Sequence, residues 1–168
     1  MPRTEPLGGG VNENKFVILL ICSTLLLAGV GGTIAYEVSK NSSDEIQVEV
    51  ESDRVTERVV SVTDLSLYPG KEKTYTLKFN AKSVDEIDVS LGFEETETGE
   101  LKNYVIVTVS SGDKTETIGL NELLGGKTLT FSGKIEKITI TYRMDENVGN
   151  EAQGAATKFD IRIKASAE

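Results

Sequence analysis

The chain from residue 46 onward alternates apolar and polar residues with a period of two. Ile46, Val48 and Val50 alternate with glutamine and glutamate. Similar alternation occurs at 60–62, 75–79, 87–93, 129–131, 138–144 and 159–165, and 104–109 is almost continuously apolar. Successive side chains of a strand point to opposite faces, so the pattern predicts strands with one face against a core. The continuous run at 104–109 predicts a strand buried on both faces.

Segments rich in Gly, Pro and Ser separate these strands. They lie at 68–71, 97–99, 110–113, 125–126 and 132–133, and such residues favour tight turns. Short strands joined by turns at this spacing predict an all-β fold, an antiparallel jelly-roll β-sandwich. The only helical pattern after residue 40 is a single turn near 120–124, so an α/β enzyme fold is not expected.

An uncharged apolar run precedes the β pattern. From Phe16 to Tyr36 it has 21 residues without a charge, enough to cross a hydrocarbon core of about 30 Å as a helix. Lys15 precedes the run and acidic residues follow it, which places the N-terminus in the cytoplasm. We therefore predict that residues 1–35 form a hydrophobic signal peptide or signal anchor, which exports the rest of the chain to the cell surface or beyond.

Two fates of this leader remain open, cleavage by signal peptidase or retention as a membrane anchor. A third alternative concerns the identity of the whole subunit. A small residue at Ala35 fits signal-peptidase cleavage between Ala35 and Tyr36. Glycines at 29, 31 and 32 weaken a helix just before that point. The leader could instead be retained as a membrane anchor. Cleavage near Gly10 would indicate a type IV pilin-like subunit, whose hydrophobic helix packs the filament core.

Composition and charge exclude several function classes. The 168 residues contain 18 Lys and Arg against 27 Asp and Glu, a net charge of −9. Because phosphate binding requires clustered basic residues, nucleic acid is not an expected partner. The chain contains no histidine and one cysteine, which removes the commonest general base and zinc ligand and the His-assisted nucleophiles. We predict neither enzymatic activity nor a cofactor.

Two acidic segments and one sequon are the remaining candidate sites. Residues 94–100 contain four glutamates, and 145–147 contain two acidic residues beside an asparagine. Such carboxylates could bind divalent cations that assist bundling, although a solvated loop is the simpler interpretation. Asn41-Ser42-Ser43 matches the N-glycosylation sequon, so Asn41 is a candidate modification site.

Three short motifs, in order along the chain, resemble the TasA/camelysin family of secreted fibre proteins. They are Gly-Gly-Thr-Ile-Ala-Tyr at 31–36, the segment 64–75 around Pro69-Gly70, and the last loop and strand at 149–168. The resemblance covers both ends of the β domain. It implies a jelly roll that polymerises by donor-strand exchange, as do the related bundling pili of archaea. The implied product is an extracellular filament, a pilus or a biofilm matrix fibre.

Donor-strand exchange also follows from the physics of sheet edges. An open edge presents unpaired backbone groups that a mobile strand can fill. Head-to-tail filling between identical subunits gives an open filament. We predict that residues 36–53 form a polar spacer and donor strand, and that 54–168 form the sandwich. The predicted donor side chains are Ile46, Val48 and Val50, with Val55 as a further candidate, and the predicted acceptor core comprises Phe159, Ile161 and Ile163.

Two alternatives to this assignment stay open at this stage. Residues 46–50 could be the first strand of their own sandwich, in a membrane-anchored ectodomain that binds a partner through its loops. A segment that begins at Tyr36 could also act as the donor if cleavage frees that end.

Overall fold

Within the residues that the structure describes, ten strands form two sheets that face each other across a common apolar core. In the computed structural model the described residues are 34–37 and 43–167 except 53, 64, 66, 82, 83 and 153, with only the backbone described at 34–37, 43, 44 and 150. The predicted leader helix up to residue 33 and the sequon residue Asn41 lie outside this set. The strands are β1 (Ile34–Glu37), β2 (Ser43–Val50), β3 (Thr56–Val62), β4 (Glu72–Ala81), β5 (Ile87–Glu97), β6 (Val105–Ser111), β7 (Lys114–Gly119), β8 (Leu129–Gly133), β9 (Lys137–Met144) and β10 (Lys158–Ala167).

Each sheet contains five strands and is named here by its central strand. The β10 sheet has the order β1-β3-β10-β5-β8, and the β9 sheet has the order β2-β4-β9-β6-β7. Successive strands alternate between the two sheets, except for the β6–β7 hairpin. The predicted all-β jelly-roll sandwich is therefore confirmed.

Both N-terminal strands depart from the antiparallel pattern. β1 pairs in parallel with β3, and β2 pairs in parallel with β4. The other strand pairings are antiparallel, as predicted. The chain crosses to the opposite sheet between the members of each parallel pair, and such a crossover returns the chain in its original direction. Period-two alternation carries no information on strand direction.

The alternating apolar residues of both sheets meet in one core. Val48, Leu77 and Tyr142 of the β9 sheet, and Leu91 and Ile161 of the β10 sheet, are fully buried. The Tyr142 ring lies edge-on to Tyr75, with centroids 5.6 Å apart. Burying this apolar surface stabilises the fold by about 25 cal/mol per Å² removed from water.

Two strands differ from their sequence-based predictions. In β6, Val105, Val107 and Val109 are buried but Ile106 is 42% exposed, so the predicted burial on both faces is wrong. Ile106 lies on the outer face of the β9 sheet, which the described residues leave to solvent. β7, with the sequence KTETIG, was not predicted because Ile118 is its only large apolar residue.

Turns and the single short helix follow the sequence closely. Helix α1 spans Leu120–Leu124, as predicted, and buries Leu120 and Leu123. In the predicted turn at 68–71, the Lys71 amide donates to the Tyr68 carbonyl at 2.9 Å. Gly70 has φ of 74°, which glycine adopts without strain after Pro69. Two short 3-10 helices, Glu100–Asn103 and Asn150–Ala152, complete the described elements.

The alternation of β5 gives a direct test of the core. Leu91→Ala should lower the free energy of unfolding by about 2–5 kcal/mol, because Leu91 is fully buried and the substitution leaves a cavity. Ser90→Ala, one residue away on the outer face, should change it by less than about 0.5 kcal/mol. Chemical denaturation of both variants measures the difference, and equal effects would contradict the assigned facing of β5.

Candidate functional site: the edge strand β2 and its groove

β2 is one of the two edge strands of the β9 sheet, with β4 as its neighbour in that sheet. The two strands are in parallel register: Ile46 pairs with Leu77, Val48 with Phe79, and Val50 with Ala81. A strand at this position covers the backbone edge of β4, which would otherwise be open to pairing with another chain.

The predicted donor side chains are core residues of this sandwich. The exposed fraction is 0% for Val48, 1% for Val50 and 7% for Ile46. The residues that alternate with these side chains, Glu45, Gln47 and Glu49, are exposed. Glu45 accepts a hydrogen bond from the Lys78 Nζ of β4 at 2.7 Å. β2 therefore has one apolar and one charged face, as its alternation predicts.

The groove that holds β2 has two walls. Phe159, Ile161 and Ile163, the predicted acceptor residues, are buried on β10, in the middle of the opposite sheet, and β10 contacts β2 across the sandwich. The wall that pairs with the β2 backbone is β4, whose Leu77, Phe79 and Ala81 were not assigned to the acceptor from sequence. Their alternation indicated a strand, but its pairing with β2 spans some thirty residues and has no local signal.

β2 continues into an exposed connection to β3, here called the hinge segment (residues 51–55). Its described residues, Glu51, Ser52, Arg54 and Val55, are all exposed. Arg54 and Glu51 form an ion pair of 3.7 Å, and Thr56 Oγ1 donates to the Glu49 carbonyl at 3.0 Å. Because exposed ion pairs contribute only about 0–1 kcal/mol, the hinge segment is weakly held.

The predicted cleavage site lies within β1. Ala35 pairs with Val59 and Tyr36 with Val60 of β3. The expected helix through Tyr36 is therefore wrong for residues 34–36, where strand-favouring Ile and Tyr follow helix-weakening glycines. Residues 33–168 form one compact unit, and β2 lies within it.

The acidic segment 94–100 is paired with basic side chains. Glu95 contacts Lys102 through both carboxylate oxygens at 2.8 Å, Glu94 pairs with Arg162 and Glu97 with Lys158. Glu94, Glu95 and Glu97 lie on β5, not on a hairpin tip. Within the described residues no group of three or more acidic or cysteine side chains is placed to hold a metal ion.

The second acidic segment is organised by a local turn. Asp145 Oδ1 accepts hydrogen bonds from the backbone and side-chain nitrogens of Asn147 at 2.7 and 2.8 Å. These two bonds lower the pKa of the Asp145 carboxyl, because hydrogen bonds to the charged form favour it. The carboxylate thus stabilises the turn that follows β9.

A buried tyrosine hydroxyl is the main electrostatic irregularity of the core. Burial raises the pKa of Tyr142 well above its ordinary value, and the neighbouring Tyr75 raises it further. Among the described residues the Tyr142 hydroxyl has no hydrogen-bond partner. Tyr142 lies in the middle of β9, away from β2, and its ring packs against Phe159 at 5.7 Å between centroids.

Comparisons with known proteins find weak structural similarities and no sequence relative. No protein-family model and no curated protein matches the chain. The extracellular region of zebrafish Gpr126/Adgrg6 is 16% identical, with a TM-score of 0.41, over 74% of this chain and 15% of that chain. The CUB1-EGF-CUB2 domains of rat MASP-1 are 20% identical, with a TM-score of 0.40, over 71% and 42%.

A bacterial domain is similar over its whole length. The pre-peptidase C-terminal domain of a Bacillus anthracis collagenase is 12% identical, with a TM-score of 0.33, over 74% of this chain and 99% of that domain. The chain spans less than half of the first two structures, and at these TM-scores none of them supports a function. No helix within the described residues is long and apolar enough to cross a bilayer.

The Tyr142 environment predicts an alkaline sensitivity. The folded pKa is raised, so the unfolded chain loses this proton at lower pH. Titration of this hydroxyl therefore leaves the free energy of unfolding unchanged below the ordinary tyrosine pKa of about 10. Above that pH the unfolded chain loses the proton first, and the free energy of unfolding falls. Tyr142→Phe should change the free energy of unfolding at pH 7 by less than about 1 kcal/mol, because the hydroxyl is unpaired, and should reduce the loss above pH 10.

Denaturation curves across this pH range measure the effect. Tyr68→Phe is the matched control, because Tyr68 is 69% exposed and its loss should leave the pH profile unchanged. A steep alkaline loss that persists in Tyr142→Phe would contradict the assignment.

Proposed function

We propose that this protein is a non-enzymatic structural subunit of an extracellular filament or matrix fibre, assembled by donor-strand exchange. The observation that carries the proposal is the position of β2: an N-terminal edge strand with three buried side chains, joined to the rest of the sandwich by an exposed hinge segment. The leader predicted from the sequence would direct the chain to the cell surface, as in the TasA/camelysin family that it resembles.

Strand exchange needs a strand that can leave without dismantling the remaining sheets. β2 has one neighbour in its sheet, and no later strand depends on it for pairing. In the filament, β2 of one subunit would fill the groove between β4 and β10 of the next subunit. The donor makes the same contacts there as in the closed protomer, and head-to-tail repetition gives an open polymer.

A pair of introduced cysteines distinguishes the closed protomer from the polymer. Glu49 and Asn80 are exposed register partners on β2 and β4. Neighbouring strands lie about 4.8 Å apart, within disulfide range. In a Cys22→Ser background, Glu49→Cys with Asn80→Cys should form disulfides between subunits once the exported protein has assembled. Non-reducing denaturing electrophoresis should then show a ladder of covalent multimers.

The control pair lies within one hairpin. Thr108 of β6 and Thr117 of β7 are 3.3 Å apart at their hydroxyls, so cysteines at these positions should join within a single chain in either form. Electron microscopy of the unoxidised protein should show filaments. A closed disulfide within one chain for the Glu49–Asn80 pair, with no filaments, would overturn the proposal and favour a binding ectodomain.

A further inference from the structure

A pocket of mixed polar and apolar lining opens at the end of the sandwich where β2 leaves its groove. It is here called the terminal pocket, and its cavity is about 200 Å³. Phe79 and Ala81, at the end of β4, form part of its lining and are also the register partners of Val48 and Val50. The remaining apolar lining is Val84, Ile87 and Ile135.

The exposed part of the pocket lining is polar and mostly charged. Asp85 and Glu136 are acidic and Lys134 is basic, and all three are exposed. The Glu136 carbonyl accepts a hydrogen bond from the Phe79 amide at 2.9 Å, which fixes the segment after β8 against the end of β4. The pocket lining thus combines apolar side chains with charged side chains of both signs.

The hinge segment carries one apolar and two charged side chains that are exposed in the closed protomer. Val55 is 62% exposed there, one of three large hydrophobic side chains described as exposed. Glu51 and Arg54 contact each other and are 70% and 73% exposed at their side chains. The negative charge of Glu51 is complementary to Lys134. The positive charge of Arg54 is complementary to Asp85 or Glu136. In the closed form the segment turns away to β3 in the opposite sheet.

We propose that the terminal pocket receives Val55 from the hinge segment of a second copy of this chain. The inference rests on the proposed strand exchange. A donor strand that pairs up to Val50–Ala81 leaves the groove beside the pocket, and five further residues reach at most about 17 Å. Val55 is therefore within reach of the pocket when the hinge segment extends to its own β3 in the adjacent subunit.

This contact would favour the polymer over the closed protomer. β2 makes equal contacts whether it fills its own groove or that of another subunit, so β2 itself favours neither form. Only contacts absent from the closed protomer can shift the equilibrium towards the polymer. Burying Val55 in the terminal pocket is a contact of that kind, because Val55 is 62% exposed in the closed protomer.

Two single-cysteine proteins test the contact directly. In the Cys22→Ser background, one full chain carries Val55→Cys and the other carries Lys134→Cys. The two are exported, mixed, assembled together and oxidised. Each has one thiol, so a disulfide between the two must join subunits. We expect a covalent heterodimer, whereas Val55→Cys mixed with Tyr68→Cys should give none, because Tyr68 lies at the other end of β4, before Glu72.

The outcomes separate this inference from the proposed function. A Glu49–Asn80 ladder without Val55–Lys134 heterodimers would overturn the pocket assignment and leave strand exchange intact. If neither the ladder nor the heterodimers form, the pocket assignment and strand exchange are both overturned. Heterodimers that form equally with the Tyr68→Cys protein would show random collision and also contradict the assignment.

A substitution at Val55 gives an independent readout. Val55→Ser should raise the concentration needed for assembly roughly tenfold, the effect expected when burial of one valine is lost. Its thermal unfolding midpoint as a protomer should not change, because Val55 is exposed there. Val55→Ile should assemble at least as well as the natural chain. Equal assembly of the serine and isoleucine variants would refute the role of the pocket.

Discussion

The groove between β4 and β10 has to be filled by a strand with three inward aliphatic side chains. Without such a strand, Leu77 and Phe79 would be exposed and the backbone edge of β4 would be unpaired. Open edges and exposed apolar surface are both unfavourable in water. The sandwich is therefore complete only when β2 occupies the groove. Under the proposed exchange, the same contacts would form whichever chain supplied the strand.

The topology leaves β2, like β1, with a single neighbour in its sheet. It is N-terminal, it lies at an edge, and its parallel pairing with β4 comes from a crossover, not from a tight hairpin. A hairpin strand such as β7 is tied to its neighbour by the two-residue turn at Gly112 and Asp113, which keeps the pairing within one chain. The exposed connection after β2 imposes no comparable restriction.

The outer faces of the two sheets differ in the charges that they carry. On the β10 sheet, Arg162 and Lys164 pair with Glu94 and Glu57, so much of the acidic surface is locally neutralised. The β9 sheet carries threonine pairs such as Thr74 and Thr141 in the same positions. In the proposed polymer, association through a strand edge would depend mainly on backbone pairing and apolar burial, and the net charge of −9 would keep the remaining surfaces apart.

The sequence by itself determined the all-β class, most strands, the short helix and the inward residues of β2, because period-two alternation and turn residues are local signals. It missed β7, whose residues are nearly all polar, and misjudged Ile106, because burial depends on what covers a face. Only the tertiary structure decided that β4 pairs with β2, that the acidic residues of β5 meet basic partners, and that the terminal pocket adjoins the groove. These contacts join residues far apart in the chain, and alternation specifies which face of a strand is apolar but not which strand lies beside it.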